Sequence, residues 1–113
     1  MLKNISNFLN QEREMVSYKL SNKAVKDLSS IWDYTFETWS EIQADKYYNE
    51  LIENCEELAK NQSLGRIYAE IDSGILGCKV GSHIIFYRIK SISKIEIIRF
   101  LHSKMDLKIR IKH

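Results

Sequence analysis

Two runs of β-branched and aromatic residues in the last third of the chain leave little choice about how it folds. His83-Ile84-Ile85-Phe86-Tyr87-Arg88-Ile89 and Ile95-Glu96-Ile97-Ile98-Arg99-Phe100-Leu101 are separated by the short polar break Lys90-Ser91-Ile92-Ser93. Each reads as a strand, and so short a break turns the chain back beside itself. Just upstream, Ile75-Leu76-Gly77-Cys78-Lys79-Val80 reads as another strand, and Gly81-Ser82 is a two-residue hairpin signal. Strands at 75–80, 83–89 and 95–101 therefore form an antiparallel meander.

The first half has a different period. Val16-Ser17-Tyr18-Lys19-Leu20 alternates like a short strand, and Ser21 or Asn22 can cap the helix that follows. Val25, Leu28, Ile31, Trp32 and Thr35 then fall on one helical face, and Trp39 extends the stripe. Ser40-Glu41-Ile42-Gln43 is a capping box that opens a second helix. Its apolar face is Ala44, Tyr47, Tyr48, Leu51, Cys55, Leu58 and Ala59, and its outer side carries Asp45, Glu50, Glu53, Glu56 and Glu57. Helices near 22–38 and 41–60 joined by a tight turn make a hairpin with one apolar seam. Gly65, after Asn61-Gln62-Ser63-Leu64, offers the left-handed conformation that helix ends often take. Residues 66–72 read only as a connector. The order β-α-α-β-β-β predicts an α+β fold, with the helical hairpin packed on one face of a small, mainly antiparallel sheet.

With 113 residues the chain is one domain. Residues 15–113 form it, and residues 1–14, with only Ile5, Phe8 and Leu9 at helical spacing, are expected to be an extension, a frayed helix or flexible arm. No apolar run approaches the roughly 20 residues that cross a bilayer, and no signal-peptide core precedes Glu14. A cytoplasmic protein is expected, with Cys55 and Cys78 as buried thiols. Charge is unevenly placed. Residues 1–78 carry eight Lys/Arg against thirteen Asp/Glu, a balance of −5, whereas residues 79–113 carry nine against two, or +7. A basic surface is thus mounted on an acidic helical one, which attracts nucleic acid or an acidic protein.

Little catalytic chemistry is marked. His83, His102 and His113 share no short ligand spacing, so no metal is expected, and the four glycines are scattered rather than gathered in a phosphate loop. No base accompanies Cys78 as a nucleophile. What remains is Arg88, Arg99, His102 and Lys104. A small ribonuclease would use such groups, His as acid or base and the cations to stabilise the phosphorane. Equally, they suit a positive sheet that binds an acidic partner. Trp32, Trp39, Tyr47 and Tyr48 read as core or as groove lining.

Several stretches together resemble the ParE toxins of the ParE/RelE superfamily. They are Tyr18-Lys19-Leu20-Ser21 with Ala24 and Asp27-Leu28, Ile31-Trp32-Asp33-Tyr34-Thr35, Trp39, Gln43-Ala44-Asp45-Lys46-Tyr47, Leu64-Gly65-Arg66, His83 to Ile89, and Ile95 to Leu107. They occur in the family's order and span residues 17–107. Gln62 stands where the family usually has proline. The resemblance implies the toxin of a type II toxin–antitoxin pair, silenced by a cognate antitoxin, ParD-like or other. ParE proteins inhibit DNA gyrase by binding, without cofactor or small-molecule substrate, whereas RelE relatives cut mRNA on the ribosome. The ending Leu101-His102-Ser103-Lys104-Met105-Asp106-Leu107 looks like the ParE branch. On that reading Arg88, Arg99, His102, Lys104, Met105 and Asp106 contact the target, and Trp32, Trp39, Tyr47 and Tyr48 line the antitoxin groove. On the nuclease alternative Arg88, Arg99 and His102 are catalytic. A stand-alone basic domain that binds nucleic acid is the further alternative, and a homodimer through the groove is the structural rival to antitoxin binding.

Overall fold

The computed structural model describes residues 16–105 together with Leu107 and Ile111. The expected extension at 1–14, Met15, Asp106 and most of the tail beyond it lie outside the described residues. Strand β1 (Ser17–Leu20) leads into helices α1 (Asn22–Thr38) and α2 (Glu41–Lys60). A 3-10 turn at Gln62–Leu64 and the two-residue strand β2 (Arg66–Ile67) follow. Strands β3 (Leu76–Val80), β4 (His83–Ser91) and β5 (Lys94–His102) complete the order. The sheet runs β1-β5-β4-β3-β2, with β1 parallel to β5 and the other pairs antiparallel. The α+β arrangement expected from the periodicities is present, with the addition of β2 inside the connector.

Both helices start where their capping residues stand. The Ser21 hydroxyl accepts the Ala24 N–H at 3.0 Å, and the Ser40 hydroxyl accepts the Gln43 N–H at 3.1 Å. Each satisfies a donor that a helix N-terminus otherwise leaves open. The seam between hairpin and sheet is apolar: Ala24, Leu28, Leu51, Cys55 and Leu58 pack with Ile85, Tyr87, Ile95 and Ile97. Not all of the stripe is buried. Val25 is exposed, while Ile31 lies only partly covered against the core.

The opposite face of the sheet is covered too, which the helical hairpin alone does not explain. Ile71 and Ile75 from the connector bury Ile84, Phe86 and Leu101, and Tyr68, Ile98, Leu107 and Ile111 pack around them. Consecutive positions 84–87 of β4 are therefore all buried, odd ones against the helices and even ones against the connector.

Two glycines set the corners. Gly81 has φ +57 in the β3–β4 turn, a left-handed conformation that suits a two-residue hairpin. Gly65 departs from expectation, because it is extended (φ −77, ψ 157) rather than left-handed. Its reason for being glycine is proximity: its N–H donates to the Tyr87 hydroxyl at 2.9 Å, and a Cβ there would overlap that hydroxyl. The same hydroxyl donates to the Gln62 carbonyl at 2.7 Å, so the buried tyrosine ties the 62–65 turn to the sheet.

Candidate functional site

A hairpin register brings two histidines face to face. His83 begins β4 directly after the Gly81-Ser82 turn, and His102 ends β5, so the antiparallel ladder pairs them across the strands. Their rings lie edge to face with centroids 5.3 Å apart. Tyr47 of α2 reaches the same corner. Its hydroxyl lies 2.6 Å from His83 Nδ1, bonds the Val80 carbonyl at 3.0 Å and accepts the Ser82 N–H at 3.2 Å. Only one arrangement serves all three: the Ser82 N–H and His83 Nδ1–H donate to the hydroxyl, which donates to Val80. Burial first, and then electrostatic repulsion from the neighbouring His102 ring, lower the His83 pKa to about 4 against a weaker opposing pull from Asp27. His83 is therefore neutral at pH 7.

The turn after β5 closes the corner. His102 Nδ1 accepts the Lys104 N–H at 3.1 Å, and the His102 carbonyl accepts the Met105 N–H at 3.0 Å. Ser30, Ile31 and Tyr34 of α1 form the facing wall of a cleft of about 400 Å³, shared with His83, His102, Lys104 and Met105. It offers an acceptor on His83, a donor on His102, a cation on Lys104 and a largely apolar floor.

The arginines are not in this cleft. Arg99 Nε and Nη2 bind both oxygens of Asp27 at 2.7 and 2.9 Å, and the Asp27 carboxylate also accepts the Phe100 N–H at 3.0 Å. The cause is a β-bulge: Phe86 pairs with Arg99 and Tyr87 with Ile97, so Ile98 is an extra residue. A bulge leaves backbone groups without ladder partners. Here α1 and its cap supply them, the Ser21 hydroxyl donating to the Ile98 carbonyl at 2.7 Å and Asp27 taking the Phe100 N–H. Both charged side chains are about 15% exposed, so the pair belongs to the interior more than to the surface. Arg88 lies across the sheet from the helices, donating to Asp72 and to the Ser73 carbonyl at 2.9 Å each and holding the connector. Of the residues expected to meet the target, the fold brings together His102, Lys104 and Met105; Arg88 and Arg99 stand elsewhere, and Asp106 is outside the described residues.

The four aromatic residues expected to line one groove are divided. Trp32 and Tyr48 share a groove of about 320 Å³ with Leu20, Val25, Leu28, Ser29 and Asp33, on the other flank of α1 from the histidine cleft. The Trp32 indole donates to Asp45 at 2.9 Å and stacks on Phe36 at 5.2 Å. Trp39 ends α1 and is 74% exposed, while Tyr47 faces the histidines. The sequence reading missed His83 and Tyr34 as cleft residues. His83 was within reach, because counting back from His102 through the hairpin break pairs the two.

Residues 18–107 match the family model described as ParE toxin of type II toxin-antitoxin system, parDE. Toxin ParE1 of Mycobacterium tuberculosis is 38% identical over 90 residues, covering 80% of this chain and 92% of that protein. Toxin ParE1 of Caulobacter vibrioides is 37% identical over 92 residues, covering 81% and 94%. Among solved structures, the chromosomal ParDE TA system from P. aeruginosa has a TM-score of 0.66 at 22% identity, covering 78% of this chain and 96% of that one. The toxin-antitoxin complex RelBE2 from Mycobacterium tuberculosis has a TM-score of 0.60 at 16% identity, covering 77% and 96%. The fold is thus the one shared by ParDE and RelBE toxins. The chain belongs to the ParE toxin family of type II toxin–antitoxin systems.

Proposed function

We propose that this toxin acts in the cytoplasm by binding DNA gyrase rather than by cutting RNA, and that an antitoxin holds it silent through the Trp32–Tyr48 groove. The observation that carries the binding reading is the engagement of Arg99 with Asp27. Phosphodiester cleavage needs cations poised where charge develops on the phosphorane. A guanidinium held by two bonds to a carboxylate inside the fold is poorly placed to supply that. Among the described residues lining the histidine cleft, Lys104 is the cation. In this reading the cleft and its rim, His102, Lys104 and Met105, form a contact surface for the target.

One observation favours the second reading, a ribosome-dependent mRNA endonuclease: His83 and His102 face each other beside Lys104, which is acid, base and cation in one cleft. A gyrase supercoiling assay run beside a translating-ribosome cleavage assay separates the two. The expected outcome is loss of supercoiling, no message cleavage, and an inhibitory effect largely kept by His102→Gln. Cleaved message with unaffected supercoiling, abolished by about 10²–10⁴-fold in His102→Gln, would establish the nuclease instead.

A further inference from the structure

We propose that the His83–His102 pair is a chelating site for a borderline divalent transition metal, Zn²⁺, Ni²⁺ or Cu²⁺. The proposal is independent of which target the toxin meets. Its basis is the ladder position of the pair. The Ser103 N–H donates to the Ser82 carbonyl at 2.9 Å, one step outside the two histidines. That places His83 and His102 at a non-hydrogen-bonded site of the antiparallel pair, where facing side chains are closest, with Cα atoms about 4.5 Å apart. Two imidazoles that share one tetrahedral ion at about 2.0–2.1 Å have ring centroids about 5 Å apart. The rings of His83 and His102 are already 5.3 Å apart.

The surroundings orient the ligands as metal sites do. A ligating histidine usually gives its second ring N–H to a fixed acceptor. His83 meets that condition through the Tyr47 hydroxyl at 2.6 Å, itself fixed by Val80 and Ser82, which leaves the lone pair on Nε2 for an ion. His102 holds its lone pair on Nδ1, against the Lys104 N–H at 3.1 Å in an exposed turn. An ion takes that nitrogen in exchange for the hydrogen bond, directly or after a half-turn of the ring. This exchange, and the nearby Lys104 ammonium, keep the affinity micromolar. Met105 lines the same cleft and adds a thioether. Imidazole and thioether suit Cu, Ni and Zn, and the described residues lining the cleft include no carboxylate, so the site disfavours Mg²⁺ and Ca²⁺.

The test is calorimetric titration of the full chain with NiCl₂, ZnCl₂ and MgCl₂, together with the Cu²⁺ electron paramagnetic resonance spectrum. Expected are one-to-one micromolar binding of Ni²⁺ and Zn²⁺, no heat with Mg²⁺, and a Cu²⁺ spectrum showing two coordinated nitrogens. His102→Gln and His83→Gln should each weaken Ni²⁺ at least tenfold, while His113→Gln leaves it unchanged. His102 is half-buried and its side-chain hydrogen bond is to the local turn, so its variant stays folded, as an unchanged melting temperature would verify. No Ni²⁺ binding, binding unaffected by His102→Gln, or binding lost in His113→Gln would each overturn the proposal.

Discussion

Asp27 shows how much one side chain can organise. Its carboxylate closes a β-bulge by taking the Phe100 N–H and fixes Arg99 with two further bonds, at about 15% exposure for both side chains. Removing one partner of such a pair leaves an uncompensated charge, which costs about 3–5 kcal/mol where burial is complete. Asp27→Ala is therefore expected to lower stability by about 3 kcal/mol in urea unfolding. A loss under about 0.5 kcal/mol would place the pair with solvent-screened surface bridges. His83 makes a second prediction at this scale. Its folded pKa of about 4 lies below the ordinary 6.5, so the unfolded chain binds the proton more readily. Stability contributed by neutral His83 is present above pH 6.5 and is lost as the pH falls from 6.5 towards 4. For a half-buried ring this amounts to about 1–2 kcal/mol after allowance for solvent screening. Chemical unfolding at pH 7.5 and pH 4.5 should show the drop, and His83→Gln should flatten that part of the profile.

At the scale of elements, periodicity and capping chemistry carried most of the information. Ser21 and Ser40 mark both helix starts, and Leu28, Leu51, Cys55 and Leu58 mark the buried seam. Leu51 is completely buried among them, so Leu51→Ala should cost about 2–5 kcal/mol in the same unfolding measurement. What the local pattern hid was long-range. Residues 66–72 have neither helical nor strand period, yet Tyr68 and Ile71 belong to the far-face cluster that buries Phe86. The bulge at Ile98 is invisible in a run that alternates imperfectly, and with it the role of Arg99, whose partner stands 72 residues away. Arginine on a strand reads as an exposed fork of donors; only the tertiary register shows that the fork is filled. The histidine pair lies between these cases, since hairpin counting reaches it but the spacing of His83 and His102 along the chain does not suggest it.

For the whole molecule, the two flanks of α1 carry different surfaces, an arrangement that suits two kinds of partner. One flank has the aromatic groove of Trp32 and Tyr48, and the other has the histidine cleft with Lys104. A helix that an antitoxin lays into the first groove would gain most from a few buried aromatic contacts, as interface hot spots do. Residues 79–113 carry a balance of +7, part of it matched by Asp27 and Asp72 through Arg99 and Arg88, and an acidic antitoxin tail would feel the remainder at a distance. Trp32→Ala is accordingly expected to weaken a cognate antitoxin by about 2 kcal/mol or more, seen mainly as faster dissociation. Tyr47→Phe, which removes only the hydroxyl bonded on the histidine side, should leave that affinity within about 0.5 kcal/mol of the original. Raising the salt from low to physiological concentration should slow association while dissociation changes little. Surface plasmon resonance on the three proteins reads all of these rates. Equal losses for Trp32→Ala and Tyr47→Phe would mean that one partner covers both flanks, and an association rate insensitive to salt would remove the electrostatic part of the argument.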